Sequence, residues 1–165
     1  MSTQCTKKEE INDEQGDETK ARNRRRVYAR PGNPDSYKNA GGNIELHQAL
    51  AEMMNRGKSM PGGACGFWGA CGAGISTGMF VSIISNSTPL AVEPFGLYHL
   101  MTAKALEQIG TVGDPRCCKR DSFLSILAAV DFVEQHFQVS MEKAEVVCDY
   151  STQNNQCIGM RCPFR

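Results

Sequence analysis

Apolar side chains recur along this chain at the three- and four-residue spacing of helices packed by one face. Ile44, Leu46, Leu50, Met53 and Met54 mark a first helix, with Asn43 as its cap and Gly57 just past its end. An apolar run over 75–85 predicts a second, stopped by Ser85-Asn86-Ser87-Thr88-Pro89 through side-chain competition for the backbone and through proline. Leu97, Leu100, Met101, Ala105 and Ile109 form a third stripe closed by Gly110. Phe123, Ile126, Leu127, Val130 and Val133 form a fourth, begun by Asp114-Pro115. Residues 140–150 are ambiguous between strand and helix, and 151–165 are polar and aperiodic. No useful alternating pattern is present. The reading is therefore mainly α: a small domain of four or five helices around a buried glycine-rich central helix, with cysteine-bearing loops.

The stretch 59–92 has no charged side chain, and 64–84 is long enough to span a bilayer. Its first half is rich in glycine, which costs about 1 kcal/mol per helical position relative to alanine. No aromatic belt or cationic loop flanks it, so a buried central helix is expected and no membrane association. The glycines also fail as a nucleotide loop. No lysine lies between Lys58 and Lys104, and after Gly72 and Gly74 the dinucleotide fingerprint meets Thr77. Gly74 and Gly78, one turn apart, suit close helix packing; Cys65 and Cys71, with Trp68 between them, are not accounted for by packing.

Charge changes the picture at one end only. The 165 residues carry 18 basic and 18 acidic side chains. That neutrality hides two acidic-to-basic blocks: two lysines and six acids over 1–19, then six basic residues and no acid over 20–30. With almost nothing apolar to bury, residues 1–30 read as a disordered charged arm, and 31–165 as a single cysteine-rich helical domain. A self-pairing solvated tail is favoured over an RNA-binding role for Arg24-Arg25-Arg26, and no DNA partner is expected. The acidic start has no apolar signal region, which predicts a cytoplasmic location.

Eight cysteines in such a chain require a chemical explanation. In a reducing compartment they suit ligands or redox groups better than a disulfide framework. Setting aside Cys5 in the arm, seven remain: Cys65, Cys71, Cys117, Cys118, Cys148, Cys157 and Cys162. Asp114 as N-cap and Pro115 as the first helical residue would put Cys117 and Cys118 in the first turn. There the amides and Arg116, Lys119 and Arg120 would favour a thiolate, which makes these two the candidates for a catalytic thiol. Cys162-Pro163 resembles the exit of iron–sulfur ligand runs, and Asn154, Asn155 and Gly159 suit a loop wrapped around a metal. No Cys-x2-Cys pair supports a zinc ribbon, and no nucleophile elbow supports serine catalysis. Of His47, His99 and His136, only His47, near the glycine loop, is a candidate supporting residue.

Three blocks carry a family resemblance: Pro61 through Gly74, Gly113-Asp-Pro-Arg-Cys-Cys-Lys-Arg-Asp-Ser122 and Asn155-Gln-Cys-Ile-Gly-Met-Arg-Cys-Pro-Phe164. Over about 37–165 the chain resembles an uncharacterised cysteine-rich family of anaerobic microbes. The resemblance implies no defined activity. Its habitat implies tolerance of an oxygen-sensitive cluster, and its longer members imply a partner among methyltransferases or radical enzymes.

The leading expectation is an iron–sulfur protein for redox or sulfur-transfer chemistry. Cys65, Cys71, Cys117 and Cys118 would form one ligand set, and Cys148, Cys157 and Cys162 a second set or donors to a shared site. Structural zinc and metal-free thiol redox are the alternatives. The expected partner is another protein or a sulfur-containing small molecule.

Overall fold

The computed structural model describes residues 34–165; the charged arm, Cys5 and the arginine run lie outside them. Among the described residues six α-helices follow one another: α1 (Pro34–Asn39), α2 (Leu46–Lys58), α3 (Ala64–Phe67), α4 (Gly72–Ile84), α5 (Phe95–Val112) and α6 (Cys118–Phe137). Two short 3-10 turns, Ser151–Gln153 and Gly159–Arg161, punctuate the last segment, and no strand occurs among the described residues. The mainly helical architecture matches the periodicity of the apolar positions.

Helix α4 is the centre of the molecule. It packs against α5, α6 and α2, with its closest association along α5. Phe80, Val81, Met101, Ala105, Ala129 and Val133 are fully buried at the junction. Each large apolar side chain so buried contributes roughly 1.5–3 kcal/mol.

Two glycines let α4 and α5 approach. A Cβ on Gly74 would come 2.8 Å from Leu106 Cδ2, and one on Gly78 would overlap Thr102 and lie 2.9 Å from the Tyr98 carbonyl. The sequence-level expectation that these glycines serve packing therefore holds. Hydroxyls buried on the same helices are satisfied internally: Thr77 donates to the Gly74 carbonyl at 2.6 Å and Ser125 to the Asp121 carbonyl at 2.7 Å.

Helix boundaries differ from the periodic reading in three places. α2 begins at Leu46 with Glu45 as N-cap, not at Asn43, and Gly57 is a buried residue of its last turn. α5 runs through Gly110 to Val112, because its backbone ladder is broken only by Gly113. Gly113 and Asp114 both adopt positive φ, at 60° and 65°.

Asp114 therefore cannot be the N-cap of α6, which requires extended backbone. Its carboxylate instead accepts from Arg161 at 2.7 Å. The N-cap is Cys117, and Cys118 is the first helical residue. Both cysteines still sit at the start of α6, but three residues closer to its end than Asp114 and Pro115 implied.

After α6 the chain leaves helical geometry at Gln138, whose φ is 56°. Val139 and Met141 pack on the core, and 142–147 run without regular structure. The chain end returns to α6 through Phe164, which is buried edge-on against Phe123 with ring centroids 5.3 Å apart.

Candidate functional site

The loop ahead of α6, the start of α6 and the C-terminal segment enclose a cavity of about 350 Å³. Five of the seven described cysteines line it: Cys117, Cys118, Cys148, Cys157 and Cys162. Backbone bonds set their positions. The Cys148 N–H donates to the Phe164 carbonyl at 2.7 Å, which ties the segment after α6 to Phe164. The Cys157 N–H donates to Asn154 and the Cys162 N–H to Gly159, so each of these cysteines closes a tight turn. Gly159 is at φ 60°, a conformation glycine adopts without strain. The turn-forming role expected of Asn154 and Gly159 is thus observed, and the Asn154 side chain also caps the Gln156 amide at 3.0 Å.

Polar groups converge on the same wall. Asn154 Nδ2 donates to Cys117 Sγ at 3.6 Å. The three cations expected to act together at the helix start divide their work. Lys119 places its ammonium 3.2 Å from the Tyr150 ring centroid, closing one side of the cavity. Arg120 is buried, at 4% exposure, and donates to the carbonyls of Gly113 and Pro115 at 2.7 and 3.0 Å. It therefore clamps the positive-φ turn that delays α6. Arg116 remains exposed.

Cys65 and Cys71 lie elsewhere. They border a second, much smaller cleft of about 30 Å³ with Asp121, Ser122 and Met60; Cys118 and Arg116 line both spaces. The structure thus groups Cys117 with the C-terminal cysteines and Cys65 with Cys71, while Cys118 borders both spaces.

Cys71 is the N-cap of α4, and its Sγ donates to Asp121 Oδ2 at 3.8 Å. Burial pushes the Cys71 thiol up to about 11, against the pull of the Ala73 and Gly74 amides. Burial also raises the Asp121 carboxyl above its ordinary range, while Arg120, the Cys71 thiol and Arg116 draw it back down. Arg120 Nε lies 3.8 Å from Asp121 Oδ1, an ion-pair distance without a hydrogen bond, and has no other partner.

The remaining candidates are peripheral. Trp68 is 69% exposed on the loop between Cys65 and Cys71. His47 is exposed on α2 and borders neither cysteine cleft. His99 stacks on Phe95 and Tyr98, and His136 on Phe132.

Asp121 was missed at the sequence level. Its signal was its phase, one turn beyond Cys117 and Cys118 on the same helix. Tyr150, Phe164 and the Asp114–Arg161 pair had no local signal, since each meets its partner across a long stretch of chain.

Thiols are soft donors suited to iron–sulfur clusters or zinc, and the larger cavity supplies enough of them. As the side chains stand, no three His, Cys, Asp or Glu among the described residues converge on a point that would hold one ion. No helix among them is long and apolar enough to cross a membrane.

Fold and site together define a small helical domain whose cysteines are gathered at the start of one helix and a looped chain end. The chain belongs to DUF5714, a family of unknown function, which it matches over residues 35–165. No curated protein and no solved structure matches it.

Proposed function

We propose that the chain is a metal-binding thiol protein whose larger cavity carries an iron–sulfur cluster. The observation that supports this reading is the gathering of five cysteines, from two distant parts of the sequence, on one cavity. Cys117, Cys148, Cys157 and Cys162 are the ligands we assign, with Cys118 at the wall shared with the second cleft.

The donor chemistry fits such a group; the spacing of the unliganded thiols does not yet bring three of them together. Metal binding should accordingly draw the turns that carry Cys157 and Cys162 toward Cys117. A cluster supplies electron transfer or, with three thiolate ligands, an open iron for a sulfur species. The residues of the chain do the rest. Asn154 donates to Cys117, Lys119 and Tyr150 shield one side, and Arg120 fixes the turn from which Cys117 projects.

The proposed setting is cytoplasmic, with a protein or a sulfur-containing small molecule as partner. Purification without oxygen, followed by iron, acid-labile sulfide and zinc analysis, tests the reading. Stoichiometric iron and sulfide with visible absorption supports a cluster. Zinc in a colourless protein replaces it with a structural metal. A folded, metal-free protein overturns both and leaves thiol chemistry.

A further inference from the structure

The second cleft holds chemistry that a metal in the larger cavity does not use. The Ala70 N–H donates to the Ala64 carbonyl at 3.3 Å, closing the loop that carries the two cysteines. Cys65 and Cys71, each one residue beyond a partner of that bond, border the same cleft. Between them Phe67 and Trp68 stand 87% and 69% exposed. From the opposite side, the buried Asp121 carboxylate reaches Cys71 Sγ at 3.8 Å.

We propose that Cys65 and Cys71 are a dithiol that reduces an accessible disulfide, with Asp121 taking and returning the Cys71 proton. This activity does not depend on whether the larger cavity holds a metal.

The roles follow from the surroundings. Cys71 Sγ donates its proton toward the buried Asp121 carboxylate at 3.8 Å, so Cys65, on the other side of the cleft, is the first nucleophile. Its sulfur loses a proton to solvent and attacks a disulfide RSSR′. A Cys65–SR bond forms, and R′S⁻ leaves and takes up a proton.

Cys71 then gives its proton to Asp121, and the Ala73 and Gly74 amides at the start of α4 stabilise the thiolate so formed. That thiolate attacks Cys65 Sγ, the Cys65–Cys71 bond forms, and RS⁻ leaves with the proton from Asp121. Two thiols of this chain are oxidised and one external disulfide is reduced to two thiols; no further electron donor is needed. Besides Asp121, the ionisable groups around Cys71 are Arg116 and Arg120 on the α6 side, Cys118 at its start, and Cys65 on α3.

The test uses the full chain with glutathione disulfide and, in a second arm, insulin. Cleavage at Lys58 and Lys104 puts Cys65 and Cys71 on one peptide with no other cysteine, so its mass reads this pair alone. The expected product is that peptide lacking two hydrogens, with quenched emission from Trp68, the single tryptophan. Faster reaction with insulin assigns a protein substrate, and faster reaction with glutathione disulfide a small one.

Cys71→Ser should trap glutathione on Cys65. Asp121→Asn should slow the second step about a hundredfold at neutral pH, with the gap closing as pH rises. If Asp121→Asn does not fold, the wild-type second step should itself slow as pH falls through the Asp121 titration. A peptide that keeps both thiols, or carries two separate glutathiones, overturns the dithiol. An unchanged rate and pH profile in Asp121→Asn overturns the proton role.

Discussion

The α4–α5–α6 core and the segment after α6 are stabilised in opposite ways. In the core, Phe80, Met101 and Val133 are sealed, and two glycines bring helices to near contact. After Gln138 the chain has no long element; it is held by single backbone bonds, one buried ring at Phe164 and a few side-chain contacts. This second region leaves its cysteines on tight turns around a cavity, where a ligand has most to add. The larger cavity takes three of its five cysteines from this loosely held segment, whereas Cys71 and Asp121 sit on the core helices α4 and α6.

Two phenylalanines give the sharpest contrast. Phe80→Ala should lower the unfolding free energy by about 3–5 kcal/mol, read from denaturant midpoints, because the site lies where three helices meet. Phe164→Ala should leave that global transition largely in place while speeding amide exchange at Cys148, Cys157 and Cys162. Equal global losses at both positions would merge the two regions into one cooperative unit.

Gly78→Ala should cost about 1–3 kcal/mol, since the new methyl group meets a backbone carbonyl that cannot rotate away. Gly110→Ala, which meets nothing within 4 Å, should not destabilise.

The cleft that joins the regions should show itself in pH. Cys71 and Asp121 are both raised, so each favours the folded state while protonated. The Cys71 contribution is complete below its unfolded value of 9.0 and is lost as pH climbs through about 11. Stability of the reduced protein should fall over that window, and Cys71→Ser should flatten the fall. Asp121 has the same sign at acid pH, its contribution declining as pH rises through the range above 3.8. Smallest of all, Arg161→Ala breaks an ion pair with Asp114 whose arginine is 70% exposed, and should cost under about 1 kcal/mol.

Apolar spacing revealed the core helices because burial there follows helix phase. Met53, Met101, Ala105, Val130 and Val133 were all on their predicted faces and are all buried. Leu100 was placed with them and is 57% exposed, since Met101 and Ala105 turn the other side of α5 inward.

The start of α6 was misjudged for a physical reason. Asp114-Pro115 is a good local cap, but Arg161, 47 residues away, claims the carboxylate while positive φ disqualifies the backbone. The seven cysteines stood out in the sequence as the candidate site residues. Their division did not, because it depends on where the chain end docks. Phe164 on Phe123 and Cys148 on the Phe164 carbonyl bring the last cysteines to Cys117, and leave Cys65 and Cys71 to Asp121.

That division is the central claim, and metal content in two single variants tests it most directly. Purified without oxygen, Cys157→Ser should lose bound iron and sulfide, while Cys65→Ser should retain both at the wild-type ratio. Iron lost from Cys65→Ser and kept in Cys157→Ser would contradict the account, placing the metal at the glycine loop rather than at the chain end.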